Sequence, residues 1–244
     1  MRAILTYHSI DPSGSPISLS AAAFDRHVRW LRSGRVRVLS VDALIAAPDD
    51  EDAVAMTFDD GFANFGDVAA PRLADAGLPS TLFVVSDHVG RTNAWNGVVT
   101  KGIPDLPLLG WSALGRLAEQ GVVVGAHTRT HPDLTTIDLS RAREEMRGSA
   151  DAIARELGRR PAIFAYPYGA LNDEVAAAAR DEFRWSCTTD FSALAREVTG
   201  ARLPRLDAYY FHDAGRLESF GTPAFARFVR RRHAARRIRG WLAG

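Results

Sequence analysis

The chain has 244 residues, 46% of them hydrophobic and 24% charged, and its formal net charge is +1. That is apolar material for one full-sized core, and the near-neutral balance excludes the basic excess of a nucleic-acid-binding domain. Cys187 is the only cysteine, which excludes an intrachain disulfide, and no stretch approaches the roughly 18 uninterrupted apolar residues of a membrane span.

Short apolar runs alternate with segments of helical pattern. Residues 3–7 read as a buried strand. Ser20 is placed to cap a helix over 21–33, stopped by Gly34. A second run covers 36–39, and Ser40 is placed to cap 41–47. Residues 53–58 form the next strand, 71–76 a short helix ended by Gly77, and 81–85 another strand. Residues 93–109, rich in Gly and Pro, read as a long loop forming part of a site wall. A helix over 112–120 ends at Gly121, a strand covers 122–126, and a helix over 138–157 ends at Gly158. Runs at 162–165 and 183–188 follow, with a weaker one at 201–206. Continuous apolar runs suit strands buried on both faces of a parallel sheet. Seven or eight of them between helices predict an α/β barrel. The expected division is a barrel over 1–221 and a basic helix over 222–244 packed on the same domain.

Conspicuous polar residues follow four of these strands. His8 follows the first, Asp59 and Asp60 the run at 53–58, His127 the run at 122–126, and Tyr166-Pro167-Tyr168-Gly169 the run at 162–165. In α/β barrels the loops after the strands build the active site, so four segments deliver polar groups to one rim. His127 and His131 stand four apart, with a strand before them and Pro132 after, which places them in a tight loop rather than on a helix. Two imidazoles and one carboxylate make a three-donor site for a divalent metal ion such as zinc, with a position open for water. With Asp60 as the third ligand, Asp59 stays ionised beside the cation and free to act as a base. His8 is the candidate acid for the leaving group. His27, His88, His212 and His233 lack partners at useful spacing and read as structural or surface residues. Trp95, Trp111 and Trp185 are placed to stack on sugar faces or to fill core.

These residues resemble the NodB-homology polysaccharide deacetylases, carbohydrate esterase family four. Thr57-Phe58-Asp59-Asp60-Gly61 resembles the first family motif, His127-Thr128-Arg129-Thr130-His131 the second, and Tyr166-Pro167-Tyr168-Gly169 the end of the third. The resemblance implies a distorted (β/α)₇ barrel with Asp59 as catalytic base and Asp60, His127 and His131 as ligands of one divalent ion, zinc being expected. It also implies that the Tyr168 backbone N–H serves the oxyanion. Two departures stand out. Ala165 occupies the position of the arginine that supports the base, a role left to Arg205 or another arginine of the chain. The usual C-terminal Leu-x-His is absent, and Tyr7-His8-Ser9-Ile10 opens the chain instead. That opening resembles the poly-N-acetylglucosamine deacetylase subgroup, in which the barrel is circularly permuted and an N-terminal histidine, here His8, is the acid.

The implied function is metal-dependent hydrolytic removal of an acetyl group from an N-acetylated, or O-acetylated, sugar or polysaccharide. The rivals are a non-catalytic glycan-binding module and a metal-dependent amidase or esterase of another small substrate. The opening residues turn polar too soon for a signal-peptide core. The expected location is therefore the cytoplasm or the cytoplasmic membrane face, or outside the cytoplasm where a leader has been removed. Phe225, Phe228, Val229, Ile238 and Trp241 lie among seven arginines near the C-terminus, a pattern for packing on the barrel or for peripheral contact with an anionic membrane.

Overall fold

The structure, a computed structural model, describes the backbone of residues 1–242 and the side chains of residues 1–236. Parallel strands roll nearly into a barrel. Its wall comprises β1 (Arg2–Tyr7), β2 (Ala53–Phe58), β3 (Ser80–Val84), β4 (Val123–Ala126), β5 (Ile163–Ala165), β6 (Trp185–Cys187) and β7 (Arg205–Asp207). Their spatial order is β7-β1-β2-β3-β4-β5-β6, so the first and last strands of the chain are neighbours. A parallel bridge between Cys187 and Leu203 brings β6 to the approach of β7 and all but closes the ring. Arg37–Val38 pairs with the start of β2 outside this path. The helices are α1 (Ala21–Arg32), α2 (Val41–Ala46), α3 (Ala70–Asp75), α4 (Trp111–Glu119), α5 (Leu139–Leu157), α6 (Asp173–Glu182) and α7 (Pro223–Leu242).

The period of two along each strand sorts the side chains. Ile4, Ala53, Ala55, Phe83, Ile163, Ala165, Cys187 and Leu203 form one buried cluster, the barrel interior. Ala3, Leu5, Tyr7, Val54, Met56, Phe58, Leu82 and Val84, of the opposite parity, join the larger cluster between wall and helices. The interior is narrow. A Cβ on Gly125 would come within 2.6 Å of the Phe83 ring, so the strand opposite that ring needs a glycine. At the lower end Arg2 donates to the carbonyls of Leu44, Ile45 and Ala47, which seats α2 as the floor. Carried past the upper strand ends, the inner parity falls on His8, Asp59 and His127; on β7 it falls on Arg205 and Asp207.

Several boundaries differ from expectation for local reasons. The weak run at 201–206 pairs with β1 only over Arg205–Asp207, because Pro204 has no N–H to donate to a ladder. A π-helical turn, Phe65–Ala69, leads into α3, so that helix begins earlier than Pro71. Asp138 is the N-cap of α5 rather than its first residue. Helix α6 was not expected from the apolar pattern; its signal is Asn172, whose side-chain oxygen accepts from the Val175 N–H at 2.9 Å. In α7, Phe225 and Val229 are buried in the larger cluster. The side chains of Arg237, Ile238, Arg239 and Trp241 lie outside the described residues. Among the described residues no helix is long and apolar enough to cross a membrane.

Candidate active site

The upper rim gathers the polar residues of four strands. Asp59 follows β2 directly, its N–H bonded to the Tyr7 carbonyl at 2.9 Å, so the β1–β2 ladder continues into the site. Asp60 and Gly61 then turn sharply with φ of 70° and 80°. A non-glycine residue in that region is strained, and here the strain aims two successive carboxylates at the same cavity.

His127 extends β4 in the same way, with its N–H on the Val84 carbonyl. The loop to His131 passes through positive φ at Thr128 (66°) and His131 (63°). It is held from inside, since the Thr128 hydroxyl accepts from the His131 N–H at 3.0 Å. It is held from outside by Glu145 of α5, which is buried. One Glu145 oxygen accepts from the N–H groups of Arg129 and Thr130, both at 2.9 Å. The other accepts from the Thr130 hydroxyl and from Arg141, both at 3.0 Å. The spacing of four therefore reflects a braced loop, not a helix face.

Asp60, His127 and His131 each present one donor atom, all within 4.8 Å of one another. Asp60 Oδ1 lies 3.4 Å from Nε2 of His127 and 3.4 Å from Nε2 of His131. Donors around a tetrahedral ion with bonds of about 2.0–2.1 Å stand about 3.3–3.4 Å apart, so the spacing fits. Asp60 Oδ1 is buried without a hydrogen-bond partner, as an oxygen reserved for a cation would be. His127 Nδ1 sits 2.7 Å from the Ala165 carbonyl, which can only accept; the proton is therefore on Nδ1, and the Nε2 lone pair faces the site. Burial pushes the His131 imidazole down to about 3, keeping it neutral. Burial opposes a charge on His127 too, yet the Asp60 and Asp59 carboxylates beside it push its pKa up. That is the direction expected where a positive charge belongs between carboxylate and imidazoles. The His131 ring is oriented by packing: Trp95 stacks on it at 4.4 Å, and Tyr168 meets its edge at 4.7 Å.

Asp59, beside these donors, is held by a different partner. Both its oxygens are gripped by the Arg205 guanidinium, at 2.6 and 2.7 Å. Arg205 in turn donates to the Thr188 carbonyl at 2.9 Å and rests over the Phe83 ring at 5.6 Å. Burial opposes the Asp59 charge, but Arg205 and His8 outweigh it and hold the carboxyl well below the usual carboxylate range. His8 Nε2 stands 3.7 Å from Asp59 Oδ2 on a partly open side chain. Asp207, also on the inner face, is pushed up by burial, with the His8 charge acting against that.

The structure thus brings together Asp59, Asp60, His127, His131 and His8, and it sets Tyr168 at the edge of His131. Tyr168 has φ 59° and an exposed ring. Trp111 packs against the larger cluster and Trp185 against the inner one, whereas Trp95 is neither core nor free surface but the lid on His131. His88 meets Trp95 edge-on in turn, at 4.9 Å. Sequence reasoning missed Glu145, Asp207 and the position of Trp95. The inward parity of β7 signals Asp207, but nothing local signals Glu145.

The same frame recurs elsewhere. The Streptococcus pyogenes deacetylase PplD, solved in complex with acetate, superposes with a TM-score of 0.71 at 22% identity over 84% of this chain and 91% of that one. IcaB from Ammonifex degensii gives 0.72 at 22% identity over 86% and 94%. At such identities the likeness concerns the fold. Among sequences, a poly-beta-1,6-N-acetyl-D-glucosamine N-deacetylase of Staphylococcus epidermidis is 23% identical over 231 residues, covering 83% of this chain and 77% of that protein. YxkH of Bacillus subtilis (strain 168) is 26% identical over 200 residues, 80% of this chain and 66% of its own length. The family model described as polysaccharide deacetylase matches residues 46–182, from before β2 to the end of α6 and so across both the Asp59-Asp60 and the His127–His131 segments. That span is more than half of the chain, which therefore belongs to the polysaccharide deacetylase family.

Proposed function

We propose that the chain hydrolyses the acetamide of an N-acetylated sugar unit in a glycan, releasing acetate and a free amine. The observation that supports this reading is the division of the rim. Three buried donors suited to a cation and, beside them, an ionised carboxylate neighboured by an imidazole divide the rim between two roles.

Asp60, His127 and His131 would hold the ion. Bound there, a divalent ion such as zinc would polarise the acetyl carbonyl and acidify a water to a pKa of about 7. Asp59, kept ionised by Arg205, takes the proton of the attacking water. So low-lying a carboxylate is a weak base, and it serves because its partner water is acidified. The Tyr168 N–H, carried on a left-handed turn beside His131, is assigned to the negative charge growing on the acetyl oxygen. Such preorganised donors are typically worth about 3–4 kcal/mol. His8 Nε2 gives a proton to the departing amine nitrogen, so that water and acetamide become acetate and amine.

Acetate release from a panel of N-acetylated and O-acetylated saccharides, with and without chelator, tests the reading. Chelator-sensitive release from N-acetylated members supports it. No release from any member by metal-loaded protein would overturn it, and release confined to O-acetyl esters would correct the bond that is cleaved.

A further inference from the structure

The chain between β7 and α7 builds a second pocket that the chemistry above does not use. A cavity of about 370 Å³ lies between the turn Ala208–Phe211 and α7, walled by Tyr209, Tyr210, His212, Arg216, Phe228 and Arg232. Asp213 also lines it, paired with His212 at 3.3 Å.

Its arginines are laid on aromatic faces. The Arg216 guanidinium carbon is 4.5 Å from the Phe228 ring centre. Arg232 is 4.2 Å from Tyr210 and 5.8 Å from Phe228. Arg236 is 5.9 Å from Tyr210. Three guanidiniums thus share two rings, and among the described residues none of the three has a carboxylate partner. Stacking fixes the plane of a guanidinium and leaves its N–H edges free for an oxyanion. Like charges gathered this closely repel one another, and a bound anion relieves that repulsion.

The pocket adjoins the catalytic rim. Asp207 Oδ1 accepts the Tyr209 N–H at 3.0 Å. Asp207 pairs in register with Thr6, two residues before His8. The charges of His8 and Arg236 both bear on the Asp207 carboxyl. Helix α7 begins two residues after Gly221, and it sets Arg232 and Arg236 over Tyr210, three residues beyond Asp207.

We propose that this pocket, formed by Arg216, Arg232 and the two tyrosines, binds a phosphoryl group carried on the saccharide substrate. Placing that phosphoryl beside the sugar that loses its acetyl group rests on the deacetylase reading. Several cationic and phenolic donors around one cavity suit a many-oxygen anion better than a two-oxygen carboxylate. A concave site with inward-stacked arginines suits a discrete group better than a lipid surface.

The test is calorimetric titration of the full chain with N-acetylglucosamine 1-phosphate and, separately, with neutral N-acetylglucosamine. The phosphorylated sugar is expected to bind about tenfold tighter or more, in a salt-sensitive way, and Arg232→Gln and Arg216→Gln are each expected to remove about tenfold of that preference. Inorganic phosphate should compete. Equal affinity for the two sugars, or a preference untouched in both variants, overturns the proposal. Arg216 is exposed, so its variant stays informative even where Arg232→Gln melts early. Sedimentation with phosphatidylglycerol vesicles, lost in both variants while the soluble sugars show no preference, overturns it in favour of a lipid surface. Acetate release from a neutral oligosaccharide without any phosphate preference leaves the deacetylase reading and removes this one. A phosphate preference without acetate release from any sugar does the reverse.

Discussion

Arg205 and Asp59 meet inside the barrel with two guanidinium nitrogens on two carboxylate oxygens, at 2.6 and 2.7 Å. Their side chains are 0% and 3% exposed. They come from β7 and from the residue after β2, 146 positions apart, on two strands that both pair with β1.

Replacing Arg205 with Met leaves a buried carboxylate without its partner, a loss of about 3–5 kcal/mol. The pH dependence follows in sign. In the native protein the Asp59 pKa lies below its ordinary value of 3.8, so its stabilisation is present above that value and fades as pH falls through the folded one. In Arg205→Met, burial dominates and raises the pKa, so stability should instead decline as pH rises above about 4. Urea unfolding from pH 4 to 8 reads the difference, and parallel pH profiles for the two proteins would remove Arg205 from this role.

The adjacent carboxylates should separate cleanly. Asp59→Asn keeps shape but not the proton acceptor, so acetate release should drop about 10²–10⁴-fold while metal content holds. Asp60→Asn weakens one of three donors, so metal content and activity should fall together. Elemental analysis beside the rate assay decides, and the reverse pattern would exchange the two assignments.

Much of this was legible in the sequence because it is local. Asp59-Asp60-Gly61 and His127–His131 each sit at the end of an apolar run, and a run of that kind fixes both the strand and the rim its end reaches. Arg205 was available but not assignable, because its partner lies 146 residues away and the run around it is broken by Pro204. Glu145 was invisible for a related reason. It lies mid-helix among Arg141, Arg143, Glu144 and Arg147, where a solvated charge looks the same as a buried brace. Helix α6 escaped because its alanines carry little apolar contrast, although its Asn172 cap was there to be read.

Glu145 itself gives a prediction. Glu145→Ala removes the acceptor for two backbone N–H groups of the His127–His131 loop and should weaken metal affinity by about 10–100-fold, the usual scale for a lost supporting contact. Glu145→Gln keeps an acceptor oxygen and should recover part of it. A cobalt-substituted protein makes the change visible as an altered ligand-field spectrum. Unchanged affinity and spectrum in Glu145→Ala would reduce Glu145 to a fold residue.

His8 is partly open and touches no cation donor. His8→Ala should therefore depress kcat while metal occupancy and Tm stay near native. A fully active variant would move the acid role elsewhere on the rim.

His27 provides the last prediction, and it concerns stability alone. Its Nε2 lies 2.9 Å from the Phe211 carbonyl, so it carries the proton. Its Nδ1 then accepts from the Tyr7 hydroxyl at 3.2 Å. This one neutral tautomer ties α1 to β1 and to the turn after β7. Burial lowers the His27 pKa below 6.5, outweighing its bond to Phe211. Below pH 6.5 the unfolded chain therefore takes up a proton that the folded one refuses, and folding stability falls as pH drops. His27→Gln cannot titrate. It should cost about 1–3 kcal/mol near pH 8 through imperfect replacement of two buried hydrogen bonds, and the gap to the native protein should narrow steadily below pH 6.5. Because His127 and His131 titrate alike in both proteins, the difference between the two unfolding curves isolates His27. A gap independent of pH from 8 to 5 would mean that His27 is not held neutral in the fold.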